Sequence, residues 1–185
     1  MKAIIVAAGI GSRLGELTKK TTKSLVNVND KTILEHQISI FKKLGINDIT
    51  VIIGPYPEQY DFEDISFIHD KKFMEHDILS SFMLASSIID DDVIVSYGDV
   101  IFDENILQPL IDFKDRIGLA IDFDWEQNYA KIDKELKLEA TVSLVKNKRC
   151  IKIVDGRELQ KSNNQTIDEI FDSKNETIGE FVGLM

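Results

Sequence analysis

The sequence predicts an α/β protein with a mostly parallel sheet and a small antiparallel hairpin. Three short runs of apolar, often β-branched residues are typical of buried strands: 4–6, 46–53 and 93–97. A helical pattern separates the first two runs, and strand, helix and strand in this order form a βαβ unit with parallel strands. Two alternating segments, 139–145 and 150–154, are joined by a short polar link and predict the hairpin.

The composition indicates which class of protein this chain belongs to. A chain of 185 residues with 43% apolar and 29% charged side chains is long enough for one packed core. It has no apolar run of membrane-spanning length, and Met1 and Lys2 lead into a strand without a signal-peptide pattern. The single cysteine, Cys150, fits a reducing compartment, and three scattered histidines give no zinc spacing. A net charge of −10 argues against nucleic-acid binding. We therefore expect a cytoplasmic protein without membrane or nucleic-acid partners.

Local signals place the other elements. Thr32 and Glu35 form a capping box for a helix over 32–44, and Gly45 ends it. A strand is predicted at 65–69, and Asp77 is a good N-cap for a helix whose apolar residues recur on one face as far as residue 89. Asp103 precedes a third helix at 104–111. A strand at 117–121, a polar loop at 155–177 that we expect to be mobile, and a strand at 178–184 complete the prediction.

The glycine-rich segment after the first strand predicts an anion site. Gly9, Gly11 and Gly15 allow tight turns and close approach of a ligand to the main chain. Arg13 adds a forked cation suited to phosphate. Residues 11–24 carry four cations and one anion, against the acidic background of the chain. A phosphate-rich ligand explains this better than the alternative, an ordinary strand-to-helix turn with solvated lysines.

Two common glycine motifs do not fit. The dinucleotide fingerprint needs G-x-G-x-x-G, whereas the spacing from Gly11 to Gly15 is one residue too long. The P-loop needs a Gly-Lys pair, and the sequence contains none.

The segment resembles a known family instead. Ala7-Ala8-Gly9-x-Gly11-Ser12-Arg13-Leu14, followed by Thr22-Lys23-x-Leu25, is similar to the signature of nucleotidyltransferases that load a nucleoside monophosphate onto a phosphorylated acceptor. The resemblance implies a three-layer α/β/α fold with a Rossmann-like sheet, like the nucleotide-diphospho-sugar transferases, over one domain at 1–185. It implies that Ala7, Ala8, Gly9, Gly11 and Ser12 bind the nucleotide, and that Arg13 and Lys23 are catalytic. The family usually has Pro-Lys at Thr22-Lys23, so this chain departs from it there.

A second segment resembles the choline-phosphate and 2-aminoethylphosphonate cytidylyltransferase subgroup. There an Asn and a Ser open a helix that contacts the base and ribose, and Asp77 and Ser80 match these positions. The alternative is that Asp77 only caps the helix, with Ser80 in its first turn. Both interpretations are compatible, because helix N-termini are natural ligand sites.

Asp99 follows the strand at 93–97 and a glycine, where parallel sheets bind ligands. Mg²⁺ prefers one or two carboxylates together with phosphate oxygens. We therefore predict Asp99 as the Mg²⁺ ligand, and the family carries the same strand-Gly-Asp segment. The alternative, a turn or capping aspartate, applies better to Asp103.

Asp122 and Trp125 resemble an Asp followed by a Trp in the cytidylyltransferase subgroup. A carboxylate with an aromatic face can hold the cationic amine of an acceptor. The alternative for Trp125 is a side chain that covers the sheet edge.

Together these features predict a Mg²⁺-dependent transfer of CMP from CTP to phosphocholine, phosphoethanolamine or 2-aminoethylphosphonate. The alternatives are a sugar-1-phosphate uridylyl- or thymidylyltransferase and a catalytically weak nucleotide-binding module. A homodimer is compatible with the sequence. The chain stops at Met185, inside a strand-like run, where the family continues to a second metal carboxylate. We therefore expect a truncated chain with weak or no turnover.

Overall fold

The structure is a computed structural model that describes residues 1–125, 127, 140–155 and 177–185. The chain divides into two compact units, Met1–Gly118 with Gly183–Met185, and Leu119–Val182. The strands in chain order are β1 (Lys2–Ala7), β2 (Asn27–Val28), β3 (Lys31–Thr32), β4 (Ile49–Ile53), β5 (Ser66–His69), β6 (Val93–Tyr97), β7 (Ile121–Asp122), β8 (Thr141–Lys146), β9 (Arg149–Asp155) and β10 (Thr177–Phe181). Among the described residues, the α-helices with defined ends are α1 (Ile33–Lys43), α2 (Ile78–Met83) and α3 (Glu104–Ile111).

The first unit is built on a parallel sheet of order β5-β4-β1-β6. Val6 in β1 pairs with Ile52 on one side and Tyr97 on the other. The strand order reverses at β1, because β4 and β5 extend the sheet in one direction and β6 in the other. Ligands of α/β sheets bind at the carboxyl ends of the strands at such a reversal. The fold therefore favours the ends of β1 and β6 as the ligand site.

Local capping sets the helix ends. Both halves of the capping box are present in α1: the Glu35 N–H donates to Thr32 Oγ1 at 3.1 Å, and the Thr32 N–H donates to Glu35 Oε2 at 2.6 Å. Gly45, with φ +83°, takes the left-handed conformation just past the helix. Asp103 caps α3, accepting from the Asn105 N–H at 2.9 Å. These predictions are confirmed.

The second unit contains an antiparallel sheet of order β7-β10-β8-β9. The predicted hairpin is β8 and β9, and its turn residues Asn147 and Lys148 have φ of +50° and +61°. Two positive φ values are typical of the type I′ turn that matches strand twist. The predicted α/β class with a mostly parallel sheet and an antiparallel hairpin is confirmed.

Some predicted elements differ from the structure. The helix after Asp77 ends at Met83, and the chain tightens to the 3₁₀ segment Ser86–Ile88, so the predicted helical face is not continuous. Ile78 at its start is 42% exposed. The strand predicted at 117–121 is reduced to β7. The last predicted strand lies in the antiparallel sheet, whereas Gly183–Met185 run antiparallel beside β6, with the Met185 N–H donating to Val95 O at 2.9 Å. Of the predicted mobile loop, 156–176 lie outside the described residues.

Candidate functional site

The glycine-rich segment folds back on itself at Lys23. Gly11 has φ +71° and Gly15 has φ +54°, so both take conformations that side chains disfavour. A Cβ at Gly11 would lie 2.8 Å from Lys23 Cβ. The Thr18 hydroxyl donates to Gly11 O at 2.9 Å and closes the loop. Glycine at position 11 therefore lets the backbone of the loop pack directly against Lys23.

The turn after β6 packs on the end of β1. The Gly98 N–H donates to Val6 O at 2.8 Å. A Cβ at Gly98 would lie 2.6 Å from Ala7 Cβ, and only glycine fits without displacing β1. This packing brings Asp99 beside the exit of the first strand, as the strand-Gly-Asp pattern predicts.

Lys23 and Asp99 meet at the reversal of the strand order. Lys23 Nζ lies 2.8 Å from Asp99 Oδ2, and the two side chains are 34% and 40% exposed. A lysine of the glycine-rich segment thus reaches a carboxylate 76 residues further along the chain. The pair is accessible to solvent, as a site that binds nucleotide phosphates requires. Arg13 and Ser12 lie nearby in sequence, exposed on the 3₁₀ segment Ser12–Thr18.

Gln37 fixes the backbone on both sides of Asp99, and the sequence analysis missed it. Its side chain on α1 is fully buried, and Nε2 donates to Tyr97 O at 2.9 Å and Val100 O at 2.6 Å. Its Oε1 accepts from the Ser96 hydroxyl at 3.0 Å. Gln37 is a polar residue on the apolar stripe of an amphipathic helix, and this is the sequence signal that could have identified it.

Asp77 and Ser80 lie together at the start of α2. Asp77 Oδ1 accepts from the Ser80 N–H at 2.9 Å, and both residues are exposed. That hydrogen bond is the leading cause that lowers the pKa of Asp77. The capping role of Asp77 is confirmed, and the exposure of both side chains leaves them accessible to a ligand.

Asp70 secures the segment that leads into α2. It follows β5, is 1% exposed, and accepts from Ser81 Oγ at 2.7 Å and from the Lys72 N–H at 2.9 Å. His76 Nε2 lies 3.2 Å from Asp70 Oδ1. Burial alone would raise the pKa of Asp70, but the hydrogen bonds and the nearby His76 lower it overall. One buried carboxylate thus holds three points of the segment 71–81.

The predicted acceptor residues lie in the second unit. Asp122 is half-buried, and its Oδ1 accepts from the Asp124 N–H at 2.8 Å. Trp125 is 1% exposed, so its burial favours the alternative of a packing role over an open aromatic face.

The carboxylates of the described residues could bind a metal ion only together with oxygen atoms of a bound ligand. Among the described residues there is no cluster of three or more histidine, cysteine, aspartate or glutamate side chains that could hold a metal ion. Asp99 alone suits Mg²⁺ that is held jointly with nucleotide phosphates.

The helices of the described ranges are all too short or too polar for a bilayer span.

Comparison with known proteins shows the family to which the chain belongs. Residues 3–125 match the MobA-like NTP transferase domain, and the chain belongs to this family. It is 35% identical over 142 residues to the CTP:phosphoglutamine cytidylyltransferase of Campylobacter jejuni, covering 71% of this chain and 56% of that protein. It is 35% identical over 106 residues to the choline-phosphate cytidylyltransferase of Streptococcus pneumoniae, covering 55% and 46% of the two chains. The resemblance to cytidylyltransferases is therefore confirmed.

A solved structure extends the likeness to the fold. The CTP:phosphocholine cytidylyltransferase from Streptococcus pneumoniae matches with a TM-score of 0.64 at 23% identity, covering 99% of this chain and 68% of that one. By sequence, the chain spans about half the length of the curated relatives it matches, 56% and 46% in the two cases above.

Proposed function

We propose that this chain binds CTP and transfers its CMP to a small phosphorylated or phosphonate acceptor, with release of pyrophosphate. The observation that carries this proposal is the ion pair of Lys23 and Asp99, 2.8 Å apart at the strand-order reversal. A cation and a carboxylate at such a point suit a polyanionic nucleotide and its metal ion. CTP is the proposed nucleotide because the two similar proteins named above are cytidylyltransferases.

Each residue has a proposed role. Arg13 and the backbone amides of Gly11 and Ser12 bind the β- and γ-phosphates, while Lys23 binds the α-phosphate or the acceptor phosphate. The backbone of Ala7, Ala8 and Gly9 approaches the base, and Ser80 and Asp77 contact the nucleoside. Asp99 would hold Mg²⁺, which when bound neutralises phosphate charge.

The chemistry needs no general base. An oxygen of the acceptor phosphate is already an anion and attacks the α-phosphorus in line. A bond forms between that oxygen and the α-phosphorus, and the bond to the bridging oxygen breaks, so that its electron pair leaves with pyrophosphate. The barrier arises from bringing two polyanions together, and positioned cations such as Lys23 lower it.

The acceptor is proposed to carry a cationic amino group, as phosphocholine, phosphoethanolamine and 2-aminoethylphosphonate do. Asp122 is its proposed contact. Asp122→Asn should raise the KM for these acceptors. The KM for glucose-1-phosphate, which carries no cationic group, should not change. Equal effects on both kinds of acceptor would contradict this assignment.

Nucleotide binding is tested first. Thermal shifts with CTP, UTP, dTTP, GTP and ATP, each with Mg²⁺, should rank CTP highest. Pyrophosphate release with each acceptor then measures transfer, and Lys23→Ala should lower its rate roughly 10²- to 10³-fold, as loss of a preorganised charge donor does. Preference for UTP or dTTP with glucose-1-phosphate would replace the proposal with sugar-phosphate transfer. The sequence predicts weak turnover for this chain, and binding of CTP with no turnover at all would support the alternative of a nucleotide-binding module.

A further inference from the structure

A closed ring of three buried hydroxyl groups lies directly behind Lys23. Thr22 Oγ1 is 2.6 Å from Tyr60 Oη and 3.0 Å from Ser24 Oγ, and Ser24 Oγ is 3.0 Å from Tyr60 Oη. Thr22, Ser24 and Tyr60 are 0%, 2% and 8% exposed. Each hydroxyl can donate one hydrogen bond and accept one within the ring, so the three groups satisfy one another.

Two members of the ring flank Lys23 in the sequence. Thr22 and Ser24 flank Lys23 in sequence and point inward, while the Lys23 side chain between them is 34% exposed and reaches Asp99. Thr22 is extended, with φ −92° and ψ 162°, and the 3₁₀ segment Lys23–Leu25 begins immediately after it. Hydrogen bonds on both neighbours therefore fix the backbone that carries the lysine.

The third hydroxyl connects the segment around Lys23 to the connection between β4 and β5. Tyr60 follows β4 and the 3₁₀ segment Pro57–Gln59, 38 residues from Thr22. The same stretch contacts the basic segment again, since Gln59 Nε2 donates to Lys20 O at 2.8 Å. Burial raises the pKa of Tyr60 above its ordinary value.

We infer that the hydroxyl ring of Thr22, Ser24 and Tyr60 positions Lys23 for nucleotidyl transfer. This inference rests on the proposed function of Lys23. Hydrogen bonds of the Thr22 side chain restrain the backbone that leads into Lys23. Thr22, Ser24 and Tyr60 are thus positioning residues and contact no substrate themselves.

The test combines two readouts on the full chain. The first is the rate at which a lysine-directed acylating reagent labels Lys23, followed by mass spectrometry, with Asp99→Asn as the reference for a released amine. The second is the rate of CMP transfer from CTP to phosphocholine, with its kcat and KM determined separately. Melting temperatures verify that each variant is folded.

Thr22→Val and Tyr60→Phe remove one hydroxyl each and nearly preserve shape. Both should raise Lys23 labelling toward the Asp99→Asn rate and lower kcat about tenfold or more, because small misplacements of a catalytic group are costly. KM for CTP should change much less. Thr22→Ser keeps the hydroxyl and should restore both values. Thr50→Val makes the same exchange at a buried threonine of β4 and should leave both unchanged.

The outcomes separate the inference from the proposed function. Unchanged labelling and kcat in Thr22→Val and Tyr60→Phe, with a large loss in Lys23→Ala, would overturn the ring's role and keep that of Lys23. A wild-type transfer rate in Lys23→Ala would overturn both. Equal losses in Thr22→Ser and Thr22→Val would also contradict the inference, since the hydroxyl would not then be the determinant.

Discussion

Replacement of Gln37 by methionine tests how the turn at Asp99 is held. Methionine has nearly the same length and volume but offers none of the three hydrogen bonds of the amide. Those bonds are the donations of Nε2 to Tyr97 O and Val100 O, at 2.9 and 2.6 Å, and the acceptance from Ser96 Oγ at 3.0 Å. Each intramolecular hydrogen bond contributes about 1 kcal/mol net. Gln37→Met should therefore lower the free energy of unfolding by about 3 kcal/mol.

Ser96→Ala provides the matched comparison. It removes the bond to Gln37 Oε1 together with the alternative contact of Ser96 Oγ with Tyr97 O at 3.1 Å. Gln37 Nε2 still satisfies both backbone carbonyls, and one hydroxyl proton makes one bond at a time, so the cost should be about 1 kcal/mol. Urea unfolding followed by circular dichroism measures both values. For a chain of this size, Gln37→Met should lower the melting temperature by roughly 6–12 °C.

Mg²⁺-dependent CTP binding gives a second measurement for the same variants. Gln37→Met should weaken it more than Ser96→Ala does, because the former releases the backbone on both sides of Asp99. Ile33→Val, a small truncation on the same helix, controls for general loss of stability. Equal costs for Gln37→Met and Ser96→Ala, or CTP affinity in Gln37→Met no lower than in Ile33→Val, would refute this reasoning.

Three further predictions concern the surroundings of the site. Gly54→Ala should be strongly destabilising by thermal melting, because its Cβ would overlap the backbone oxygen of Ala8. Gly9→Ala, with no atom within 4 Å of its Cβ, should melt like the wild type. The pKa of His76 is raised, chiefly by its hydrogen bond with the Asp77 carbonyl and to a lesser extent by the Asp70 carboxylate. Its contribution to stability should thus be complete below the free-histidine pKa of about 6.5 and be lost as pH rises through the folded-state value. Urea midpoints of wild type and His76→Gln should converge over that range, and a constant difference would contradict the assignment. Asp77→Asn should keep the helix cap and cost far less stability than Asp77→Ala, at about 1 kcal/mol. The CTP affinity of the Asp77→Asn variant then reports whether the Asp77 carboxylate also contacts the nucleotide.

Local spacing in the sequence was sufficient for several elements. The α3 bounds, Glu104–Ile111, and its Asp103 cap match the prediction, as do the bounds of β6, Val93–Tyr97. The capping box of α1 matches as well. These features depend on hydrogen bonds or alternation within a few residues, which the sequence displays directly. The helix after Asp77 was predicted too long, because apolar spacing alone does not show where a partner surface is missing.

The sequence by itself determined the α/β class and the glycine-rich segment, and it predicts Lys23 and Asp99 as site residues. Only the tertiary structure decided that these two side chains meet, since their contact spans 76 residues and depends on β6 lying beside β1. The same holds for Gln37, whose bonds reach 59 to 63 residues along the chain, and for Tyr60, which lies 38 residues from Thr22. Strand order sets such contacts, and no short stretch of sequence encodes strand order.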